Sequence, residues 1–284
     1  MNLKIAIVYF SGTDITKTYA RVIGDALSQS GHTPTLVNIT PYSAREGDFT
    51  VADYDAFIFG FPVYADFAPR VIDTWLPTLN GQEKKCATFF TYGGRTTGYA
   101  HYHTKMLLDK AGFQVEFTAE FLGRHSINIA GWDAVPDRPN EMDFAVARDF
   151  AALVVERFSQ NTDAAFNLQK PFGYDTVIGV KAAEKPRTER TWMNPVRVAD
   201  ECSLCRLCED ECPTQAFDAD TGMSDPQLCI ECLHCVYICT DEVIKADKRI
   251  ADHYSSFLSD FNMDDDFINQ KQSRLITSGL QAAF

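Results

Sequence analysis

The sequence has no long hydrophobic run and no excess of positive charge. Its apolar stretches, such as residues 5–10, are far shorter than the roughly eighteen residues that a membrane helix needs. No stretch near the start has the cleavage site of a secretory signal. Lys and Arg number 26 against 39 Asp and Glu, a net charge of −13, which disfavours binding to nucleic acid. We therefore expect a soluble, cytoplasmic protein that binds neither membrane nor nucleic acid.

Two nucleotide-binding motifs are also missing. Gly-x-Gly-x-x-Gly is absent, which disfavours NAD binding, and no Gly-Lys-Ser/Thr follows the loop at residues 11–16, which disfavours a triphosphate-binding loop. The chain is nevertheless rich enough in apolar residues, at 45%, to fold. A length of 284 residues predicts two domains or one large one.

Eight of the nine cysteines form two similar runs. They follow the spacing x₂, x₂, x₃ in each run, and Pro213 comes directly after the first. This spacing is typical of [4Fe–4S] binding, in which the fourth cysteine of each run ligates the other cluster. The predicted ligand sets are Cys202, Cys205, Cys208 and Cys239 for one cluster, and Cys229, Cys232, Cys235 and Cys212 for the other. Zinc or a redox-active dithiol is the alternative. The ninth cysteine, Cys86, lies in an apolar run and is predicted to be an inert core residue.

Residues 1–159 alternate strand-like and helix-like segments, which predicts a parallel sheet covered by helices on both faces. The strand-like segments are continuous apolar runs, as expected for strands buried on both faces. The five predicted strands are Leu3–Phe10, Thr35–Ile39, Asp55–Phe61, Cys86–Tyr92 and Val115–Leu122. The predicted helices are Thr16–Gln29, Val71–Leu79, Thr104–Ala111 and Met142–Phe158.

Three loops of distinctive composition follow these strands, at the sheet edge where such folds bind ligands. The first loop, residues 11–16, places short hydroxyl side chains at the start of a helix, where unpaired N–H groups favour an anion. The second loop, residues 60–65, and the third loop, residues 91–99, combine glycine with tyrosine. Glycine allows close approach to a flat ligand, and tyrosine can stack on one. Two histidines after the third loop, His101 and His103, are expected to be solvated.

The order of these loops resembles the flavodoxin family, which binds FMN. The resemblance implies that the first loop, Ser11, Thr13, Asp14, Ile15 and Thr16, binds the FMN phosphate, chiefly through the hydroxyls. It implies that Pro62, Val63, Tyr64 and Ala65 flank one face of the isoalloxazine, and that Thr91, Tyr92, Gly93, Gly94 and Tyr99 lie at its other edge. Asp14 replaces the family's glycine. Its carboxylate would repel a phosphate unless it points to solvent or caps the helix.

The cysteine repeat resembles the bacterial two-cluster ferredoxin family over residues 196–248. The whole chain is similar to proteins of anaerobes that fuse a flavodoxin-like domain to a ferredoxin domain. The fold expected is α/β, a flavodoxin-like doubly wound parallel five-stranded sheet followed by a small α+β ferredoxin domain. We predict an FMN-binding domain over 1–159, a linker or strap over 160–195, a two-[4Fe–4S] domain over 196–248, and a partly helical tail over 249–284.

The combination implies an electron-transfer protein with FMN and two [4Fe–4S] clusters. Residues 196–248 hold four basic and twelve acidic residues, a net charge of −8, so we expect a redox partner protein with a basic docking surface. A homodimer also stays open. Two other functions are compatible with the sequence. One is an FMN-dependent reductase of a small substrate such as a quinone or corrinoid. The other is a docking module that has lost FMN and carries a ferredoxin.

Overall fold

The computed structural model describes residues 2–47, 49–160, 166–184, 188–247 and 249–278. The helices in this part of the chain are α1 (Ile15–Gln29), α2 (Arg70–Trp75), α3 (Ala100–Lys110), α4 (Glu141–Ser159), α5 (Tyr174–Ala183), α6 (Leu207–Asp210), α7 (His234–Ile238), α8 (Arg249–Asp260) and α9 (Asp265–Asn269). The strands are β1 (Lys4–Tyr9), β2 (Thr33–Asn38), β3 (Ala56–Pro62), β4 (Lys85–Tyr92), β5 (Gln114–Leu122), β6 (Val196–Arg197), β7 (Phe217–Asp218), β8 (Met223–Ser224), β9 (Ile244–Lys245) and β10 (Arg274–Ile276).

The large sheet has the strand order β10-β5-β4-β3-β1-β2. Strands β1 to β5 are all parallel, in the order 2-1-3-4-5. This is the flavodoxin-like version of the doubly wound fold, and it confirms the predicted fold class. We call residues 2–159 the sheet module. Its loops at the carboxyl ends of β1, β3, β4 and β5 all open at one edge.

The prediction of five strands was one short. Strand β10, from the tail, pairs antiparallel with β5, and Arg274 lies opposite Glu120. Its three residues are too few to show a period-two pattern, so the sequence gives no strand signal there. The tail therefore returns to the sheet module and covers its β5 edge.

Alternate residues of β1 show how the core is divided between the two faces of the sheet. Ile5 and Ile7 of β1 pack in one fully buried cluster with side chains of α1 and α4. Ala6 and Val8 pack in a second cluster with side chains of α2 and α3 on the opposite face. Because both faces of a parallel sheet are covered, both sets must be apolar, which produces the continuous apolar runs in the sequence.

The predicted linker contains a helix that the sequence analysis missed. Helix α5 packs against α3, and Lys181 Nζ lies 2.6 Å from Asp73 Oδ2 of the sheet module. Helix α8 packs against Trp132, whose Nε1–H donates to the Ile250 carbonyl at 2.7 Å. Both segments therefore lie on the sheet module.

Residues 196–247, which we call the cysteine module, form a small α+β unit. Its sheet has the order β7-β8-β6-β9, and all its pairings are antiparallel. The two short helices α6 and α7 each start just before the third cysteine of a run. Among the described residues, no helix has the length and apolar character needed to cross a bilayer.

Candidate functional site

A cleft opens at the carboxyl edge of the large sheet and contains about 360 Å³ of empty space, its mouth included. Most of the predicted FMN-loop residues line it. These are Ser11, Thr13, Ile15, Thr16, Pro62, Val63, Tyr64, Thr91, Tyr92 and Gly93. The predicted residues that do not line it are Asp14, Ala65, Gly94 and Tyr99. Three loops that are far apart in sequence thus form one site.

The first loop presents unpaired hydrogen-bond donors to the cleft. Within the described part of the chain, no backbone N–H of residues 12–16 donates a hydrogen bond to another protein group. The loop is held from behind, because Ser11 N–H donates to Thr40 Oγ1 at 2.8 Å and Ser11 Oγ accepts from Lys17 N–H at 3.2 Å. Thr16 Oγ1 and Thr91 Oγ1 lie 2.8 Å apart and join the first loop to the third. A row of free N–H groups at a helix start suits an anion.

The Asp14 carboxylate is not among the groups that line the cleft. Its Oδ2 accepts from Lys17 Nζ at 2.8 Å, and its side chain makes no capping bond to α1. Asp14 has a φ of 61°, in the left-handed region, which explains why a glycine suits this position in the flavodoxin pattern. The expected repulsion is thus relieved by an ion pair with Lys17, and helix capping by Asp14 is wrong.

The third loop leaves the cleft after Gly93. Gly94 contacts Ile268 of the tail, where an added Cβ would lie 2.4 Å from Ile268 Cγ2. The Tyr99 ring stacks on Phe67, with 5.3 Å between ring centroids, and packs beside Tyr174 of α5. Tyr99 therefore supports the back of the second loop and lies away from the cleft.

The loop after β5 also lines the cleft, with Gly123, Arg124, His125 and Ser126. The sequence analysis missed it, although the same rule about strand ends applies to β5. Burial, together with the nearby Arg95 charge, lowers the pKa of His125 to about 4. Its Nδ1 accepts from Ile127 N–H at 3.2 Å. A Cβ on Gly93 would lie 2.4 Å from His125 Cδ2, so glycine is needed for this approach.

The two histidines expected to be solvated are not. His101 is buried, and its Nδ1 lies 2.7 Å from Thr118 Oγ1. His103 is half-buried between Asp73 and the Tyr174 hydroxyl. The prediction failed because their polar partners are distant in sequence and come together only in the fold.

The eight clustered cysteines form two groups that mix the two runs. Burial raises the pKa of Cys208 to about 11, and the neighbouring thiols of Cys205, Cys202 and Cys239 contribute to this rise. Burial likewise raises the pKa of Cys232, with further contributions from Cys212 and Cys229. Burial also raises the pKa of Cys235, and the thiols that contribute most to this rise are those of Cys232, Cys212 and Cys229. We call Cys202, Cys205, Cys208 and Cys239 the distal group, and Cys212, Cys229, Cys232 and Cys235 the proximal group.

The backbone of the two runs repeats the same unusual geometry. Leu204 and Arg206, on either side of Cys205, have φ values of 55° and 62°. Glu231 and Leu233, on either side of the equivalent cysteine, have φ values of 56° and 57°. Left-handed φ is unfavourable for such residues, so it persists only where the surroundings require it. Here the same pair of left-handed residues flanks the second cysteine of each run, so the two runs share one backbone geometry.

Polar donors face the proximal sulfurs. Ala216 N–H donates to Cys212 Sγ at 3.2 Å and Glu231 N–H to Cys229 Sγ at 3.4 Å. Such bonds are typical of the surroundings of iron–sulfur clusters. Within the described residues, no three His, Cys, Asp or Glu side chains converge closely enough for one metal ion.

The proximal group lies directly against the cleft. His234 Nδ1–H donates to the Gly12 carbonyl at 2.7 Å. A Cβ added to Gly12 would lie 2.7 Å from Tyr64 Oη and 2.8 Å from the Cys232 carbonyl oxygen. The first loop of the cleft is thus in contact with both the second loop and the cysteine run.

Two arginines of the sheet module fix the same region of the cysteine module. Arg70 Nη2 donates to the carbonyls of Gln227, Leu228 and Cys229 at 3.1 to 3.4 Å. The Arg45 guanidinium donates to the carbonyl of Pro213, next to Cys212. All these bonds reach backbone carbonyls beside proximal cysteines, so the proximal group is held in one position relative to the cleft.

A comparison with curated proteins decides the family of the cysteine-containing part. Ferredoxin-2 of Chlorobaculum tepidum is 36% identical over 58 residues, which span 17% of this chain and 94% of that protein. The chain belongs to the ferredoxin family. Together with the strand order of the large sheet, this makes it a fusion of a flavodoxin-like module with a ferredoxin. No family model matches the chain.

Solved flavodoxins also match about half of this ferredoxin fusion. Flavodoxin 2 from Bacillus cereus is 21% identical, covers 55% of this chain and 99% of its own, and has a TM-score of 0.43. A flavodoxin from the domain Archaea is 17% identical with the same coverage and a TM-score of 0.42. The Fusobacterium nucleatum flavodoxin bound to flavin mononucleotide is 15% identical, with a TM-score of 0.41. The strand order 2-1-3-4-5 of the large sheet is that of the flavodoxin-like fold.

Proposed function

We propose that this chain is an electron-transfer protein that holds FMN in the cleft and a [4Fe–4S] cluster in each cysteine group, and that exchanges electrons with a partner redox protein. FMN would supply one- and two-electron chemistry and each cluster one-electron chemistry. The observation that carries the proposal is the contact between the first loop of the cleft and the proximal cysteine run, through His234 and Gly12.

The cleft residues suit FMN in their charge and in the hydrogen-bond donors that they offer. The free N–H groups of residues 12–16 and the hydroxyls of Thr13 and Thr16 would bind the phosphate, while Lys17 offsets the charge of Asp14. The second and third loops would enclose the ring. His125 is neutral at pH 7, and because its Nδ1 accepts a hydrogen bond, its proton is on Nε2. It would therefore offer the flavin one donor.

The cysteine groups suit clusters because seven of the eight cysteines are half-buried or buried, and Cys205 is exposed. Burial raises the pKa of Cys208, Cys232 and Cys235, so thiolates at these positions need a compensating positive charge. The irons of a cluster would supply it. The redox centres would then follow one another in space: the flavin in the cleft, the cluster of the proximal group beside it, and the cluster of the distal group farther out.

The distal group is the one that a partner can reach. Cys205 is exposed, and the neighbouring Leu204 side chain is 53% exposed. Exposed carboxylates of Asp200, Glu201 and Glu242 lie on the same runs of chain. Leu204 surrounded by these carboxylates favours a partner whose docking surface is basic, because opposite charges steer and orient the two proteins as they meet.

We expect electron transfer to a basic probe protein to depend on these carboxylates. Reduced full-length protein mixed anaerobically with cytochrome c, a basic haem protein, should reduce it at a rate that falls several-fold from low to physiological salt. Glu201→Gln with Glu242→Gln should slow the low-salt rate several-fold. Glu156→Gln, an exposed carboxylate on α4, is the control and should leave the rate unchanged. If neither salt nor the double substitution changes the rate of cytochrome c reduction, this docking surface is excluded.

The cofactor content of anaerobically purified protein tests the proposal itself. We expect flavin absorbance bands above a broad cluster shoulder, with about one FMN and about eight irons per chain. Iron without flavin would leave only the docking-module alternative. Rapid oxidation of the reduced protein by a soluble quinone, at rates above those with protein acceptors, would instead favour the reductase.

A further inference from the structure

A second cavity lies between the third loop and the tail, separated from the cleft by Tyr92, which lines both. It contains about 940 Å³ of empty space, its mouth included, against about 360 Å³ for the cleft. Its wall is formed by Arg95–Gly98, by Glu120 of β5 and by the tail segment 270–274. The cavity exists because the tail returns to pair with β5.

Three cations line this cavity in a chain that is otherwise strongly acidic. They are Arg95, Lys271 and Arg274. Arg274 Nε donates to Glu120 Oε1 at 2.6 Å, and the Arg95 guanidinium is paired with Asp66 and lies over the Phe261 ring. Both arginines are therefore fixed in direction by their partners, while each guanidinium has further N–H donors.

The carboxylate in the wall, that of Glu120, is already paired. Glu120 is buried, its Oε1 accepts from Arg274, and its Oε2 accepts from Thr97 Oγ1 at 2.9 Å and lies 3.5 Å from His101 Nε2. Burial raises the pKa of Glu120, but its bonds to His101, Arg274 and Thr97 outweigh this and hold it at about 2. Glu120 therefore stays charged and offsets Arg274, and it adds no uncompensated negative charge to the cavity.

Because both arginines are paired with carboxylates, Lys271 supplies the positive charge of the cavity that is not offset by an ion pair. Its Nζ lies 4.0 Å over the Phe267 ring, and no carboxylate among the described residues pairs with it. Burial lowers its pKa, although Glu120 acts in the opposite direction. A half-buried ammonium facing a polar cavity without a counter-ion favours an anion there.

We propose that this cavity binds a small organic molecule carrying an oxyanion, a carboxylate or a phosphate, with Lys271 as its principal charge partner and the two arginines as directed donors. The cavity is too large for an inorganic ion alone to fill. Its position across Tyr92 from the cleft would place the bound molecule beside the flavin site. The binding itself does not depend on FMN, so it goes beyond the proposed function.

Isothermal titration calorimetry on anaerobic, cofactor-loaded full-length protein tests this site. The probes are succinate for a carboxylate and glycerol 3-phosphate for a phosphate, with succinamide as the neutral analogue. We expect saturable binding of at least one anion, with Kd at or below about 10 mM, and none of succinamide. The anion that binds identifies the oxyanion.

Charge-matched variants locate the binding. Lys271→Gln should weaken it about tenfold or more, as expected for loss of a charge-assisted bond. Lys4→Gln removes the same charge from an exposed position at the opposite end of the sheet and should have no effect. Absence of saturable binding by the wild-type protein, or equal binding by the Lys271→Gln protein, would overturn the proposal. Flavin absorbance recorded on the same samples reports separately on the proposed function.

Discussion

Replacing Gly12 with valine is expected to weaken FMN binding about 5- to 150-fold and to loosen the cysteine module from the cleft. An added Cβ would lie 2.7 Å from Tyr64 Oη and 2.8 Å from the Cys232 carbonyl oxygen, so both must move. Overpacking of this kind costs about 1–3 kcal/mol, which corresponds to that range of affinity. The measurement is FMN release on dilution, followed by the recovery of flavin fluorescence.

Two further variants show whether the effect comes from these contacts. Gly47→Val is the matched control, because nothing lies within 4 Å of a Cβ at that position. Its FMN affinity should equal that of the wild-type protein. Gly12→Ala should weaken binding less than valine does, and Tyr64→Phe should partly rescue it by removing the nearer oxygen. Equal FMN retention by the Gly12→Val and Gly47→Val proteins would mean that this contact does not shape the site.

Pairs of cysteine substitutions should remove either one cluster or both, depending on the group to which they belong. Cys202 and Cys239 are in the distal group, so Cys202→Ala with Cys239→Ala should halve the iron content, from about eight to about four per chain. Cys202→Ala with Cys212→Ala affects both groups and should remove nearly all the iron. Iron analysis with electron paramagnetic resonance of the reduced protein measures both.

The reverse pattern would contradict the grouping. If each run bound its own cluster, the pair Cys202 and Cys212 would lose half the iron and the pair Cys202 and Cys239 all of it. Cys86→Ala is the control, since Cys86 is fully buried in β4, away from both groups, and should leave the iron content unchanged. The proximal substitution Cys212→Ala should also loosen FMN, because this group is fastened to the first loop.

The sequence predicted the elements whose signals are local. The parallel strands were evident because both faces of the sheet are buried, and the cysteine runs because cluster ligands need a fixed spacing. The Asp14–Lys17 pair could also have been read from the sequence, since residues three apart on a helix start are neighbours. The Asp14 carboxylate seemed to conflict with anion binding, but Lys17, one helical turn away, pairs with it.

The features that the sequence did not predict depend on contacts between distant segments. Strand β10 has only three residues and is defined by its pairing with β5. His125 lies in a loop without distinctive composition and enters the cleft because Gly93 leaves space for it. The bond from His234 to Gly12 joins residues 222 positions apart, and no local pattern marks such a contact.

An anaerobic reductive titration tests the central claim, that FMN and two clusters act together in this chain. The measurement is the number of electrons taken up per chain, followed by absorbance as dithionite is added. Two one-electron clusters and a two-electron flavin predict an uptake of about four electrons, with both flavin bands and cluster absorbance bleached. An uptake of about two electrons, with no flavin component in the spectral change, would contradict the account.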